Sequence, residues 1–464
     1  MSTTLEQLQY GFDRDSRRIW RQRATTQGWD NAYVYDSLSQ VIGDDRGDLN
    51  LAHNAIAGIP SNGSRWQYGE TGNWHGYETL ADGAAALNQA RTHDKGNRLM
   101  EVSDATVMRT DRAGRMLETV PGPEGDWSKG YEITWDAWSR IVGVASVGGE
   151  TVTPVAAYDY DGLTRRITRY TNAEDVTLHS YYNDEWRPVE DRQDSATTAA
   201  ASYLWGSRHR DDLVRRDRAV GGTTLNEKRY VLMDYFSPAS ITDETGEVKE
   251  RYQFSAFGLR TILNPDYTVR SSSECGVEFS FQGQFEDVET GWMNYGYRYY
   301  LTALGRWACK DPAMEKGGNN LYLAEHNDPL NLVDYLGLEC GSGKIQDALI
   351  PDMPAGVSFA SACEKHDKCY EDCDKPKSQC DSRLYWDIVE ICNGVSDQKP
   401  KHPTYLDIAG SRVPQHQRSP QQVCLAWAKV YYNMVVNFGG GACVRARKSQ
   451  DSCCKNPDNY RCDA

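Results

Sequence analysis

Cysteine is almost missing from the first 338 residues. Cys275 and Cys309 are the only two there, so no disulfide framework can hold that stretch, and burial and hydrogen bonding must do so. Long apolar runs are missing as well. No segment approaches the ~20 apolar residues that a membrane-spanning helix needs, and mean hydropathy is -0.68. The start, Met1-Ser-Thr-Thr-Leu-Glu-Gln, lacks the basic-then-apolar pattern of a signal peptide, so any export is expected to use a non-Sec route. Positive charge is in deficit: 51 Lys+Arg face 66 Asp+Glu, a net charge of -15. That balance sets nucleic acid aside as an expected partner.

What is present is unevenly placed. The 464 residues exceed one core, so two or three domains are expected. Eleven of the 13 cysteines lie beyond residue 338, the density of a small disulfide scaffold. Such a framework persists in an oxidising compartment. From Glu339 to Ala464, 16 Lys+Arg balance 16 Asp+Glu. All of the net negative charge therefore sits in residues 1–338.

The first ~250 residues carry an irregular repeat: an aromatic strand, Asp, a turn, then Arg and an apolar residue. Examples are Tyr10-Gly-Phe-Asp13-Arg-Asp-Ser-Arg17, His93-Asp94-Lys-Gly-Asn-Arg98 and Thr110-Asp111-Arg-Ala-Gly-Arg115. Trp135-Asp136-Ala-Trp-Ser-Arg140, Tyr160-Asp161-Gly-Leu-Thr-Arg165 and Tyr182-Asn183-Asp-Glu-Trp-Arg187 follow. Steps of 17, 25, 25 and 22 residues between the Asp-equivalent positions from Asp94 onward fit one β-hairpin per repeat. Asp or Asn starts the turn. One hairpin cannot bury its own face, so the hairpins are expected to stack into a long curled sheet.

These motifs resemble the YD-repeat, or Rhs, family. The resemblance is denser from 230 to 338. Tyr252-Gln-Phe-Ser-Ala-Phe-Gly258 and Phe281-Gln-Gly-Gln-Phe-Glu-Asp-Val-Glu-Thr-Gly-Trp292 match its elements. So do Arg298-Tyr-Tyr300, Gly305-Arg306-Trp307, Asp311-Pro312 and Asn319-Asn-Leu-Tyr322. Asn327-Asp-Pro329 and Val333-Asp-Tyr-Leu-Gly-Leu338 complete the Rhs-associated core. The resemblance implies a β-shell over 1–229, a core over 230–338 that plugs it, and a C-terminal toxin cargo from 339. It also implies aspartyl-type self-cleavage after Leu338, with Asp334 as the catalytic candidate and Asp311 as the weaker one. Tyr335 stands where the family motif has Pro.

Residues 339–464 read mainly as helices: one around Cys363, a second over 378–392 and a third over 420–438. At 100° per residue, Cys363, His366, Asp367, Cys369, Tyr370 and Cys373 share an arc of about 160°. One helix could present His and Asp to a cleft while its cysteines tie it to neighbours. The block His366-Asp367-Lys-Cys369-Tyr370, preceded by Cys340-Gly-Ser-Gly343, resembles secreted phospholipase A2. That resemblance implies calcium-dependent hydrolysis of the sn-2 ester of phospholipids. His366 would be the general base on water and Asp367 the calcium carboxylate. Cys340, Gly341 and Gly343 would supply further calcium ligands from their loop. Asn433 is placed as the residue orienting His366, with Asp387 as its rival. Trp386, Trp427, Leu425, Val430 and Val436 read as core.

The fold class expected is thus multidomain: an antiparallel β-hairpin repeat shell plus a mainly α, disulfide-rich, phospholipase A2-like domain. A secreted or delivered monomer is expected, with Ca2+ as cofactor, a phospholipid membrane as substrate, an immunity protein as possible partner and no nucleic acid. Two alternatives stay open. Cys363, His366, Cys369 and Cys373 also suit zinc, and the chain could be a noncatalytic cell-surface interaction protein.

Overall fold

The computed structural model describes residues 4–103, 106–119, 129–148, 151–312, 314, 318–337, 365, 368, 369 and 377–394. The chain divides into two compact units, Met1–Gly341 and Ser342–Ala464.

One aspartate builds each repeat turn. Asp136 Oδ1 accepts the backbone N–H of Trp138 at 2.9 Å and that of Arg140 at 3.0 Å. Its Oδ2 accepts Arg140 Nε at 2.7 Å. The same carboxylate-to-arginine bonds recur at Asp13–Arg17, Asp94–Arg98, Asp111–Arg115 and Asp161–Arg165. The residue before the arginine is forced to positive φ: 62° at Ser16, Asn97 and Ser139, and 68° at Thr164. That conformation costs about 1–2 kcal/mol in a residue with a Cβ, which the carboxylate bonds offset. The extra left-handed residue shifts the strand register at the aromatic position, between Thr134 and Trp135 and between Asp159 and Tyr160.

Each turn is then tied to the next. Arg140 Nη1 donates to the carbonyl of Asp161 at 3.2 Å, and Arg115 Nη1 to that of Asp136 at 2.6 Å. Arg165 reaches Asn183 O at 3.3 Å and Arg17 reaches Asp36 O at 3.2 Å. The arginine also lies over the next aromatic ring, Arg140 over Tyr160 at 4.8 Å and Arg165 over Tyr182 at 5.5 Å. The aromatic answers: Tyr160 OH donates to Ile141 O, Tyr182 OH to Arg166 O and Trp135 Nε1 to Met116 O, at 2.6–2.8 Å.

Strands joined in this way pair in chain order. A first sheet of nine runs from β1 (Leu8–Phe12) to β9 (Thr106–Val107), and a second of fourteen from β10 (Glu118–Thr119) to β23 (Val269–Arg270). The two sheets meet through side chains far apart in the chain. Gln253 Nε2 donates to Asn31 Oδ1 at 2.6 Å, Ala256 N to Asp44 Oδ2 at 2.8 Å, and Arg21 Nη1 to Gln253 Oε1 at 2.9 Å. A third sheet of four short strands, β24 (Phe285–Asp287), β25 (Trp292–Asn294), β26 (Tyr299–Leu301) and β27 (Arg306–Trp307), packs against both. Trp292, Tyr299, Leu301 and Leu304 share a core with Leu99, Ile133, Ile141, Val144 and Tyr158 of the larger sheets. Burying a side chain of this kind stabilises by roughly 1.5–3 kcal/mol.

Of the second unit, the structure describes helix α1 (Lys377–Asn393), close to the expected 378–392, and Lys365, Lys368 and Cys369. Cys380, Leu384, Ile388 and Cys392 are buried at four-residue spacing, and a disulfide joins Cys369 to Cys380. Two expectations need correction. Trp386 is not core; it is 65% exposed, because it lies off that stripe. The fold class also changes. Among the described residues the molecule is overwhelmingly antiparallel β, with one helix of 17 residues, and nothing in them forms a phospholipase A2-like domain. Cysteine density can mark a stapled segment, but it does not specify which fold the staples hold. None of the described helices is long and apolar enough to cross a membrane.

Replacing Asp136 with Ala should remove three acceptor contacts and cost about 1–3 kcal/mol. Hydrogen exchange should speed up at Trp138 and Arg140 before it does elsewhere. Acid should act in the same direction. Partial burial opposes ionisation of Asp13, Asp94, Asp111 and Asp136, yet the arginine and backbone donors prevail and hold these carboxyls below their usual range. Their stabilisation is therefore complete above the unfolded carboxyl range and is lost as pH falls through the lowered values. A thermal melting series from pH 5 downward should show the loss, and Asp136→Ala should reduce it.

Candidate functional site

The best-defined polar constellation lies where the described part of the first unit ends. Arg298, just before β26, is 1% exposed, and its guanidinium sits 4.1 Å from the Trp307 ring. It lies between two buried carboxylates. Its Nη1 is 2.9 Å from Asp311 Oδ2 and its Nη2 3.2 Å from Asp334 Oδ2. One cation thus bridges Asp311 and Asp334.

Asp334 organises the strap that follows it. Its Oδ1 accepts the N–H of Gly337 at 2.7 Å and that of Leu336 at 3.2 Å. The strap's carbonyls are held in turn: Tyr335 O by Arg210 Nη1, Leu336 O by the Tyr297 N–H at 3.0 Å, and Gly337 O by Arg298 Nε. Gly337 turns at φ 70°, and a Cβ there would lie 3.0 Å from the Arg298 backbone nitrogen, so glycine is needed. Trp186 stacks on Tyr297 at 5.3 Å beside the strap. Cys309 is buried near Arg298 and Asp311, and burial pushes its thiol up to about 12, which leaves it unreactive. Three consecutive carbonyls gripped by side chains and backbone make this a peptide clamp rather than an open cleft.

Of the sequence-predicted site residues, Asp334 and the weaker candidate Asp311 are among those described, and both pair with Arg298. Cys340, Gly341, Gly343, His366, Asp367 and Asn433 lie outside the described residues. Asp387 is described: it lies on α1, 3.5 Å from Lys365 and 4.0 Å from Arg383. Sequence reasoning missed Arg298 and Arg210 as site residues. Arg298 was visible within Arg298-Tyr-Tyr300, but no local spacing ties it to positions 36 residues downstream.

The first unit is thus a hairpin-repeat wall locked to a small core sheet, with a clamp gripping the strap that follows the core. The fold is that of the TcdB2–TccC3 structure solved without its hypervariable C-terminal region. The TM-score is 0.54 and the identity 19%, covering 73% of this chain and 17% of that one. Its relatives are proteins of the Rhs and Tc toxins. One is double-stranded DNA deaminase toxin A of Burkholderia cenocepacia (strain H111), 25% identical over 74% of this chain and 25% of its own length. Another is toxin subunit YenC1 of Yersinia entomophaga, 24% identical over 71% of this chain and 35% of its own length. The chain therefore spans about a quarter to a third of these relatives. No family model matches it.

These findings correct the enzyme and partner expectations. Two relatives are named for activities on DNA, the deaminase toxin and probable deoxyribonuclease RhsB of Dickeya dadantii (strain 3937), so neither the phospholipase A2 activity nor the phospholipid substrate stands, and nucleic acid is not set aside. Net charge misled because the whole excess of acid sits in residues 1–338, while the tail is neutral. Two of the relatives are named as toxin subunits, YenC1 and YenC2 of Yersinia entomophaga.

Arg298→Met should leave two buried carboxylates without their cation and destabilise the first unit by about 3–5 kcal/mol. Denaturant unfolding measures the loss. Limited proteolysis should then cut within 334–337, which the wild-type clamp protects.

Proposed function

We propose that this chain is the carrier and effector end of a polymorphic toxin delivered outside the producing cell by a non-Sec route. In this reading residues 1–338 form the carrier and the segment from 339 carries the toxic activity. The observation that supports it is the clamp itself. Arg298, Asp334 and Arg210 fix the strap four residues before the boundary between the two compact units. Asp334 acts there as a positioning residue, setting the point from which the effector segment continues.

Within that segment we place the effector chemistry at His366 and Asp367, adjacent polar residues among closely spaced cysteines. A neutral imidazole can take a proton from water. Asp367, with the loop containing Cys340, Gly341 and Gly343, would offer oxygen ligands to a divalent cation, with calcium the expected ion. DNA is the first substrate class to examine, because a relative is named for it.

The test is expression of the full chain in the cytosol and in the periplasm of a bacterial host, beside His366→Ala and a chain stopped after Gly341. Viability and DNA integrity are read together, with and without a chelator. Toxicity that is lost in both variants supports the assignment of the effector to 339–464. A truncated chain as toxic as the full one would refute it. Loss of viability with intact DNA would leave the carrier reading standing and remove DNA as the substrate.

A further inference from the structure

The core hairpin between β24 and β25 docks on the wall through an acid-rich ionic cluster. Asp287 Oδ2 is 2.7 Å from Arg166 Nη1, on β14 (Arg166–Thr171). Arg169 of the same strand lies 2.7 Å from Glu278 and 3.5 Å from Glu289. Tyr158, on β13 (Thr151–Tyr160), donates its hydroxyl to Glu289 Oε1 at 3.2 Å, and Tyr131 donates to the Glu289 carbonyl at 2.9 Å. Asp287, Glu278 and Glu289 thus crowd around Arg166 and Arg169, with Arg216 also facing Glu278. Asp191, buried and bonded to Tyr203 at 2.6 Å, is the next acid outward.

Glu289 is the most weakly paired member. Its arginine lies at 3.5 Å, and that arginine is held more closely, at 2.7 Å, by Glu278. We propose that Glu289 is a proton-operated latch between the core hairpin and the wall, which seats the core more firmly when it takes up a proton. Protonation removes the repulsion between Glu289 and Asp287, and Glu289 can then remain hydrogen-bonded to Tyr158. Burial, followed by the Asp287 charge, already pushes the Glu289 carboxyl up to about 7. The direction follows. The folded state holds this proton more tightly than the unfolded chain, so the contribution is complete below the ordinary glutamate range and is lost as pH rises towards 7. The carrier is accordingly most closed in mild acid and loosens above neutrality.

The experiment is thermal unfolding of the full chain between pH 8 and pH 5, beside Glu289→Gln, Asp191→Asn and Tyr158→Phe. Wild type should gain on the order of 2 °C or more on acidification. Glu289→Gln, permanently neutral, should be at least as stable as wild type at pH 8 and lose most of that gain. Tyr158→Phe removes a donor to the charged form, so it should move the midpoint of the dependence to higher pH. This second variant decides the matter if Glu289→Gln does not fold. An unmoved midpoint in Tyr158→Phe, or a dependence abolished by Asp191→Asn and kept by Glu289→Gln, would overturn the latch.

Discussion

The wall depends on one arginine used three ways. At Arg17, Arg115, Arg140 and Arg165 it closes its own turn through the aspartate, bonds the first carbonyl of the next turn, and covers an aromatic ring. No single contact of this set is strong where the groups are partly exposed to water. Their value lies in linkage: the next turn must have the same shape for the guanidinium to reach it. The geometry of one hairpin thereby sets that of its neighbour, and the left-handed residue before each arginine is tolerated because the carboxylate leaves the chain no other path.

At the core the same pairing of arginine and aspartate works under different physics. Arg298, Asp311 and Asp334 are almost fully buried, so solvent no longer shares the load. Such a trio adds little net stability over an apolar substitute, yet it penalises every arrangement in which one member is missing. That makes it a device for position. It holds the strap at 334–337 in one register, which the interlocked wall alone could not do.

Local patterns were readable before any coordinates. Asp136 to Arg140 announces its turn because all the partners lie within five residues. Even here one member escaped: Asp36 closes the same turn with Gln40, whose amide replaces the arginine, and a motif written around arginine passes over it. The meeting of Gln253 with Asn31, 222 positions apart, leaves no trace in spacing. Arg298 stood inside a recognised motif, but its role comes from Asp334 arriving by a long loop. Net charge did not decide the partner class, since the acid lies in residues 1–338 and the segment beyond is neutral. In the second unit, cysteine spacing pointed to a stapled helix, and Cys369–Cys380 is such a staple; what the rest of that unit does was inferred from resemblance, which carried the reading past what its residues could support.

The turn-to-turn interlock also bears on how such a wall changes over generations. At Arg17, Arg115, Arg140 and Arg165 one turn recognises the next through a carbonyl and a ring. Adding or deleting a whole repeat therefore leaves both new neighbours with familiar partners, while a partial one breaks the chain of contacts. Wall length can therefore drift in whole steps, with Arg298 and its two aspartates untouched. A wall built this way can change its reach without redesigning the clamp beyond it.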